Sequence, residues 1–140
     1  MKKDTAKLLE ELKGCKDFKN FRKENIENIA KTEVGDYLNN LIEEKGLKKT
    51  DIIKRAEMSE VYAYQIMSGI RVPERNKLLC IAFGMGLNFE ETQNMLKATG
   101  YKPLYAKNPF DCIIIYALCK GLNIIDTNAL LFDYGEETLG

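Results

Sequence analysis

Histidine is absent from this 140-residue chain. That excludes a Ser–His or Cys–His dyad, a two-Cys two-His zinc finger and any His-ligated catalytic metal. None of the four cysteines, Cys15, Cys80, Cys112 and Cys119, forms a C-x-x-C pair, so a zinc ribbon or thioredoxin-type motif has no basis. Neither sign of charge is in excess. Lys plus Arg and Asp plus Glu both number 21, which leaves no chain-wide cationic surface for wrapping nucleic acid. Long apolar runs are missing too. The longest, Cys112 to Cys119, is far too short to span a bilayer. The charged start, Met1-Lys2-Lys3-Asp4, leads into no apolar stretch, so no signal peptide is expected. These absences make the expected location cytoplasmic and reducing, with no membrane partner. In that setting Cys112 and Cys119, seven apart in the apolar run, read as reduced core thiols.

Alternating strand patterns and Asn-Gly hairpin signals are also lacking, whereas helical spacing recurs throughout. The expected fold class is all-α. Leu8, Leu9 and Leu12 make a short stripe ended by Gly14, and residues 18–30 read as one helix with a bend. Val34, Tyr37, Leu38, Leu41 and Ile42 keep the spacing of a buried face, which Gly46 stops. Shorter elements follow. Ile52, Ile53 and Ala56 line one helix, and Met58 sits in a turn. Ser59 caps the next helix, which buries Ala63 and Ile66 and ends at Ser68-Gly69. Pro73 and Glu74 open a helix carrying Leu78, Leu79, Ile81 and Ala82. Asn88 opens another, with Glu91 as its reciprocal capping partner.

The last third repeats at an offset of 35 residues. Gly86-Leu87-Asn88 matches Gly121-Leu122-Asn123, and the match extends through Ala82 with Ala117, Thr92 with Thr127, Leu96 with Leu131 and Gly100 with Gly135. Each unit reads as helix, Gly-Leu-Asn turn and capped helix. Two units are too few for a free solenoid, so they are expected to share one core. The connector holds Tyr101 and Tyr105 about Pro103, two rings expected to pin it to that core.

The pattern Leu38-x-x-Leu41-x-x-x-Lys45-Gly46-Leu47, then Ile52-Ile53-x-x-Ala56-x-Met58-Ser59, then Ala63-x-x-Ile66-x-x-Gly69-x-Arg71-x-Pro73, runs on without gaps. It closes as Leu78-Leu79-x-Ile81-Ala82-x-x-Met85-Gly86-Leu87-Asn88-x-Glu90-Glu91. Over these roughly 55 residues the chain resembles the Cro and phage-repressor-like (Xre) helix-turn-helix family. The resemblance implies a five-helix repressor-like domain over 33–100. An N-terminal helical extension over 1–32 precedes it, and a C-terminal helical hairpin over 101–140 packs on the same core. It also implies a recognition helix, about 59–68, lying in the major groove of double-stranded DNA, with the preceding helix crossing the backbone. On that basis the DNA-contacting residues are Lys49, Ser59, Glu60, Val61, Tyr64, Gln65, Ser68 and Arg71. The function expected is transcription regulation, as a homodimer.

The side chains themselves pull two ways. Gly46 to Lys77 holds seven basic and four acidic residues, while the stretch from Leu78 holds four and seven. Lys49 and Arg71 suit phosphates. Glu60 can accept from cytosine, Val61 can touch a thymine methyl and Gln65 can pair with adenine. Yet the expected recognition helix has no Lys or Arg. Its two tyrosines, Tyr62 and Tyr64, also fit a protein-binding face, as in an adaptor or antitoxin-like module that does not read DNA. Glu57 stands where the family usually has a turn glycine, and Ile53 where it has a small alanine. Adjacent carboxylates such as Glu43-Glu44 diverge on a helix, and no phosphate-cradling glycine loop is present. No enzyme activity, cofactor or metal is expected.

Overall fold

The structure is a computed structural model that describes residues 4–24 and 33–140. Those residues form helices and connecting turns, with no strand among them. They fall into two units, Met1–Lys31 and Thr32–Gly140.

The first unit contains α1 (Thr5–Gly14) and α2 (Phe18–Glu24). Asp4 caps α1 by accepting from the Lys7 amide at 2.8 Å. No residue of α1 is buried, and Leu9 and Leu12 of its stripe stay exposed. Of the bent helix expected over 18–30, the described part, as far as Glu24, is helical, and residues 15–17 separate it from α1. Its remainder lies outside the described residues.

The second unit holds α3 (Glu33–Lys45), α4 (Lys49–Ala56), α5 (Glu60–Met67), α6 (Arg75–Met85), α7 (Phe89–Ala98), α8 (Pro109–Lys120) and α9 (Ile124–Asp133). Its centre is α6, whose residues from Leu78 through Met85 are all buried. A helix apolar on every side can only sit inside a core, and α4 and α9 pack on it while α7 meets α8 and α3 meets α5. One apolar cluster runs from Val34 to Leu139 and includes Ile114, Ala117 and Leu131 of the last hairpin.

Two close crossings depend on glycine. A Cβ on Gly84 would lie 2.5 Å from the Ile52 carbonyl oxygen and 3.0 Å from the Ala56 Cβ, so α4 reaches α6 because position 84 has no side chain. A Cβ on Gly35 would meet the Gly69 backbone at 2.9 Å, which sets the distance between α3 and the end of α5. The Asn39 side chain of α3 donates to the Met67 carbonyl at 2.7 Å, satisfying an acceptor at the end of α5 that has no intrahelical partner.

The 35-residue repeat is a structural one. Gly86 and Gly121 both end their helices in the left-handed region, at φ 69° and 67°. Asn88 and Asn123 both cap, accepting from Glu91 and Asp126 amides at 2.8 Å each. Thr92 and Thr127 are fully buried, and their hydroxyls donate back to the Asn88 and Asn123 carbonyls. The correspondence also reaches further than the matching letters. The Gln93 side chain accepts from the Leu104 amide and donates to its carbonyl, at 2.7 and 3.0 Å. Asn128 does the same to Leu139, 35 residues later, at 2.7 and 2.9 Å. Each clamp folds a buried leucine back onto its hairpin.

Two expectations are corrected. Cys112 and Cys119 are exposed, not core thiols, whereas Cys80 is buried and all four cysteines are free. The stripe they share points outward because α8 buries Asp111, Ile114, Ala117 and Leu118 instead. Of the connector tyrosines, only Tyr101 is anchored, its hydroxyl donating to the Pro73 carbonyl. Tyr105 is 54% exposed. The connector is held by Asp111, which is buried, pairs through both carboxylate oxygens with Arg75 at 2.9 Å and accepts from the Tyr105 amide.

Candidate nucleic-acid interface

The candidate surface is built by α4, the turn at 57–59, α5 and the loop running to Glu74. Ile52, Ile53 and Ala56 turn α4 inward onto α6, which leaves Lys54 and Arg55 outside. Lys49 is the first residue of α4 and half-buried, and Lys48 occupies the N-cap without a side-chain capping bond. The turn is made at Glu57, φ 52°, the only non-glycine residue with positive φ among those described. The position therefore adopts the left-handed conformation that suits glycine, and a glutamate has been forced into it.

Ser59 caps α5, its hydroxyl accepting from the Tyr62 amide at 3.4 Å. Ala63, Ile66 and Met67 are buried, which leaves Glu60, Val61 and Tyr64 outward, Val61 at 68% exposure. Ser68 is exposed and its hydroxyl donates to the Gln65 carbonyl at 3.1 Å. Glu60, Val61, Tyr64 and Ser68 are thus open to a partner, while the Ser59 hydroxyl is occupied in capping.

Gln65 and Arg71 are joined to each other. The Arg71 Nε donates to Gln65 Oε1 at 2.8 Å and its backbone amide donates to the Gln65 carbonyl at 3.1 Å. Pairing of Gln65 with adenine needs both ends of its amide, and its oxygen is already held by the Arg71 Nε, which leaves one lone pair and fixes the direction of the amide. The Arg71 guanidinium also lies 5.1 Å from the centre of the Tyr62 ring, with the Lys77 ammonium 5.9 Å from the same ring. Tyr62 packs against the core and Tyr64 faces solvent, so the two tyrosines do not make a single face.

Sequence reasoning missed three features here. Arg75 is one of the seven basic residues of the Gly46–Lys77 stretch, but it is tied to Asp111 and to the Lys102 and Pro103 carbonyls. Lys77, another of those seven, sits over the Tyr62 ring. Ile70 and Val72, exposed at 55% and 68%, extend the apolar part of the surface past α5. The alternation Ile70-Arg71-Val72 was the available signal, since a segment pinned by its middle residue turns its neighbours outward.

Among the described residues no group of His, Cys, Asp and Glu could hold a metal ion, and no helix is long and apolar enough to cross a membrane. No protein-family model, curated protein or solved structure matches the chain.

Proposed function

We propose that this chain is a DNA-binding transcription regulator of the repressor-like helix-turn-helix type, acting as a homodimer with α5 as its recognition helix. The observation that carries the reading is the uncovered outer face of α5 beside a fixed cation. Glu60, Val61 and Tyr64 are open to solvent, and Arg71 is locked against the same helix through Gln65 and Tyr62. Short helices α4 and α5 joined by a three-residue turn suit a crossing helix followed by a groove-reading one. Lys49 and Arg71 take phosphates, while Glu60 and Val61 face base edges. The test is retardation of duplex DNA at about 50 mM salt, where a phosphate-driven complex forms and from which added salt releases it. Arg71→Ala weakens binding to every sequence, whereas Glu60→Gln or Val61→Ala changes the preference among sequences. Undiminished binding by Arg71→Ala would remove Arg71 from the DNA contacts, and failure of the native chain to retard any duplex at low salt would overturn the assignment.

A second reading, a protein-docking module, is favoured by a different observation. Val61, Tyr64, Ile70 and Val72 are all exposed within twelve positions, and exposed apolar patches mark interaction sites. It predicts no DNA retardation at low salt and a partner protein lost on Tyr64→Ala.

A further inference from the structure

Arg71 and Lys77 converge on one aromatic ring, and neither has an ion-pair partner among the described residues. Each is attracted to the electron-rich face of Tyr62, yet like charges brought to one ring repel. Glu74, three residues before Lys77, is exposed and joined to neither. The ring itself is anchored, since Tyr62 packs on the core and its helix is capped by Ser59. Gln65 adds the second restraint. Its carbonyl accepts from the Ile70 and Arg71 amides, at 3.0 and 3.1 Å, and its Oε1 holds the Arg71 Nε at 2.8 Å. A guanidinium fixed at Nε and held over a ring keeps the two-donor edge made by its terminal nitrogens for an acceptor with paired oxygens.

We infer that Arg71 and Lys77, held over Tyr62, form a preformed clamp for one DNA backbone phosphate, and that Gln65 is a positioning residue for Arg71, not a reader of bases. This rests on the DNA-binding reading above. An anion between the two cations relieves their repulsion, and the restraint on Arg71 lowers the ordering cost of contact.

The experiment measures binding of a duplex by the full chain across a salt series, with thermal melting to confirm that each variant is folded. Arg71→Met and Lys77→Met each lower affinity about five- to tenfold and reduce the salt slope by about one, because each removes a phosphate contact. Gln65→Met, which keeps the length but loses the acceptor, weakens binding in the native background and has no further effect when Arg71→Met is already present. Gln65→Glu keeps an acceptor for Nε and restores part of the affinity. If the native chain binds duplex and Arg71→Met binds equally well with an unchanged slope, the clamp is wrong and the DNA reading stands. If Gln65→Met costs as much with or without Arg71, Gln65 touches DNA itself and the positioning role is overturned. If the native chain binds no duplex at low salt, the DNA reading fails and takes the clamp with it.

Discussion

Glu57 is the residue whose backbone and side chain disagree most. An L-residue in the left-handed region costs about 1–2 kcal/mol relative to the right-handed helix, and glycine adopts it without that penalty at some cost in unfolded-state entropy. Glu57→Gly is therefore expected to stabilise the second unit by about 1 kcal/mol, seen as a melting point raised by roughly 3 °C. A neutral or lower melting point would show that the Glu57 side chain contributes something its geometry does not reveal. Glu91 tells a different story. A hydrogen bond from Lys45, and then its bond to the Asn88 amide, hold its carboxyl below the usual glutamate value. The native state therefore binds the proton less readily than the unfolded chain does. The associated stability is fully present above the ordinary glutamate value of about 4.3 and is lost as pH falls through the lower folded value. Glu91→Gln retains the reciprocal cap, because glutamine also accepts from the Asn88 amide. Its denaturant midpoint should match that of the native chain more closely at pH 3 than at pH 7.

Helices in this chain are positioned by what is missing at their crossings and by what folds back on their ends. Gly84→Ala is expected to destabilise the second unit by about 2–3 kcal/mol, the range of an overpacked core. The new Cβ would meet a backbone oxygen and a second Cβ, neither of which can swing away. Urea unfolding measures this, and an effect below about 0.5 kcal/mol, the size typical of surface changes, would mean that α4 and α6 slide apart freely. The two amide clamps offer an internal comparison. Gln93→Ala strips partners from both the amide and carbonyl of Leu104 in mid-chain. It should cost about 2 kcal/mol, as unsatisfied buried groups do. Asn128→Ala does the same at Leu139, and because the two clamps share their geometry its cost should be similar. A cost below about 0.5 kcal/mol at Asn128 would show that residues 136–140 are not held by their clamp as the connector is.

For the molecule as a whole, charge is spread unevenly although its sum is zero. No Lys or Arg follows Lys120, while Asp126, Asp133, Glu136 and Glu137 all do. The proposed DNA face lies in the cationic stretch of sequence, and the last hairpin carries the excess of acidic residues. Few phosphate contacts per copy make affinity steeply salt-dependent and weak for a monomer. A two-fold dimer would add a second half-site about 34 Å away. A duplex carrying two half-sites at that spacing should bind far more tightly than one in which they are set half a turn out of register. Equal affinity for the two, measured by titration at fixed salt, would argue against a symmetric dimer on DNA.

Helix content, the caps at Ser59, Asn88 and Glu91, the glycine stops and the 35-residue repeat were all legible in the residues, because each follows from local spacing or from one side chain bonding its own turn. Where Cys112 and Cys119 point was not legible. In a helix as apolar as α8 the sequence marks no outer face, and only packing against α7 and α9 selects one. Arg75 could not be separated from the free cations, because its partner Asp111 lies 36 residues away. Nor could Gln65 be told from a base reader until the loop brought Arg71 back onto it. What the residues determined alone is where helices begin and end. Which side chains are spent inside the molecule, and which remain for a partner, depended on contacts between distant segments that no local pattern encodes.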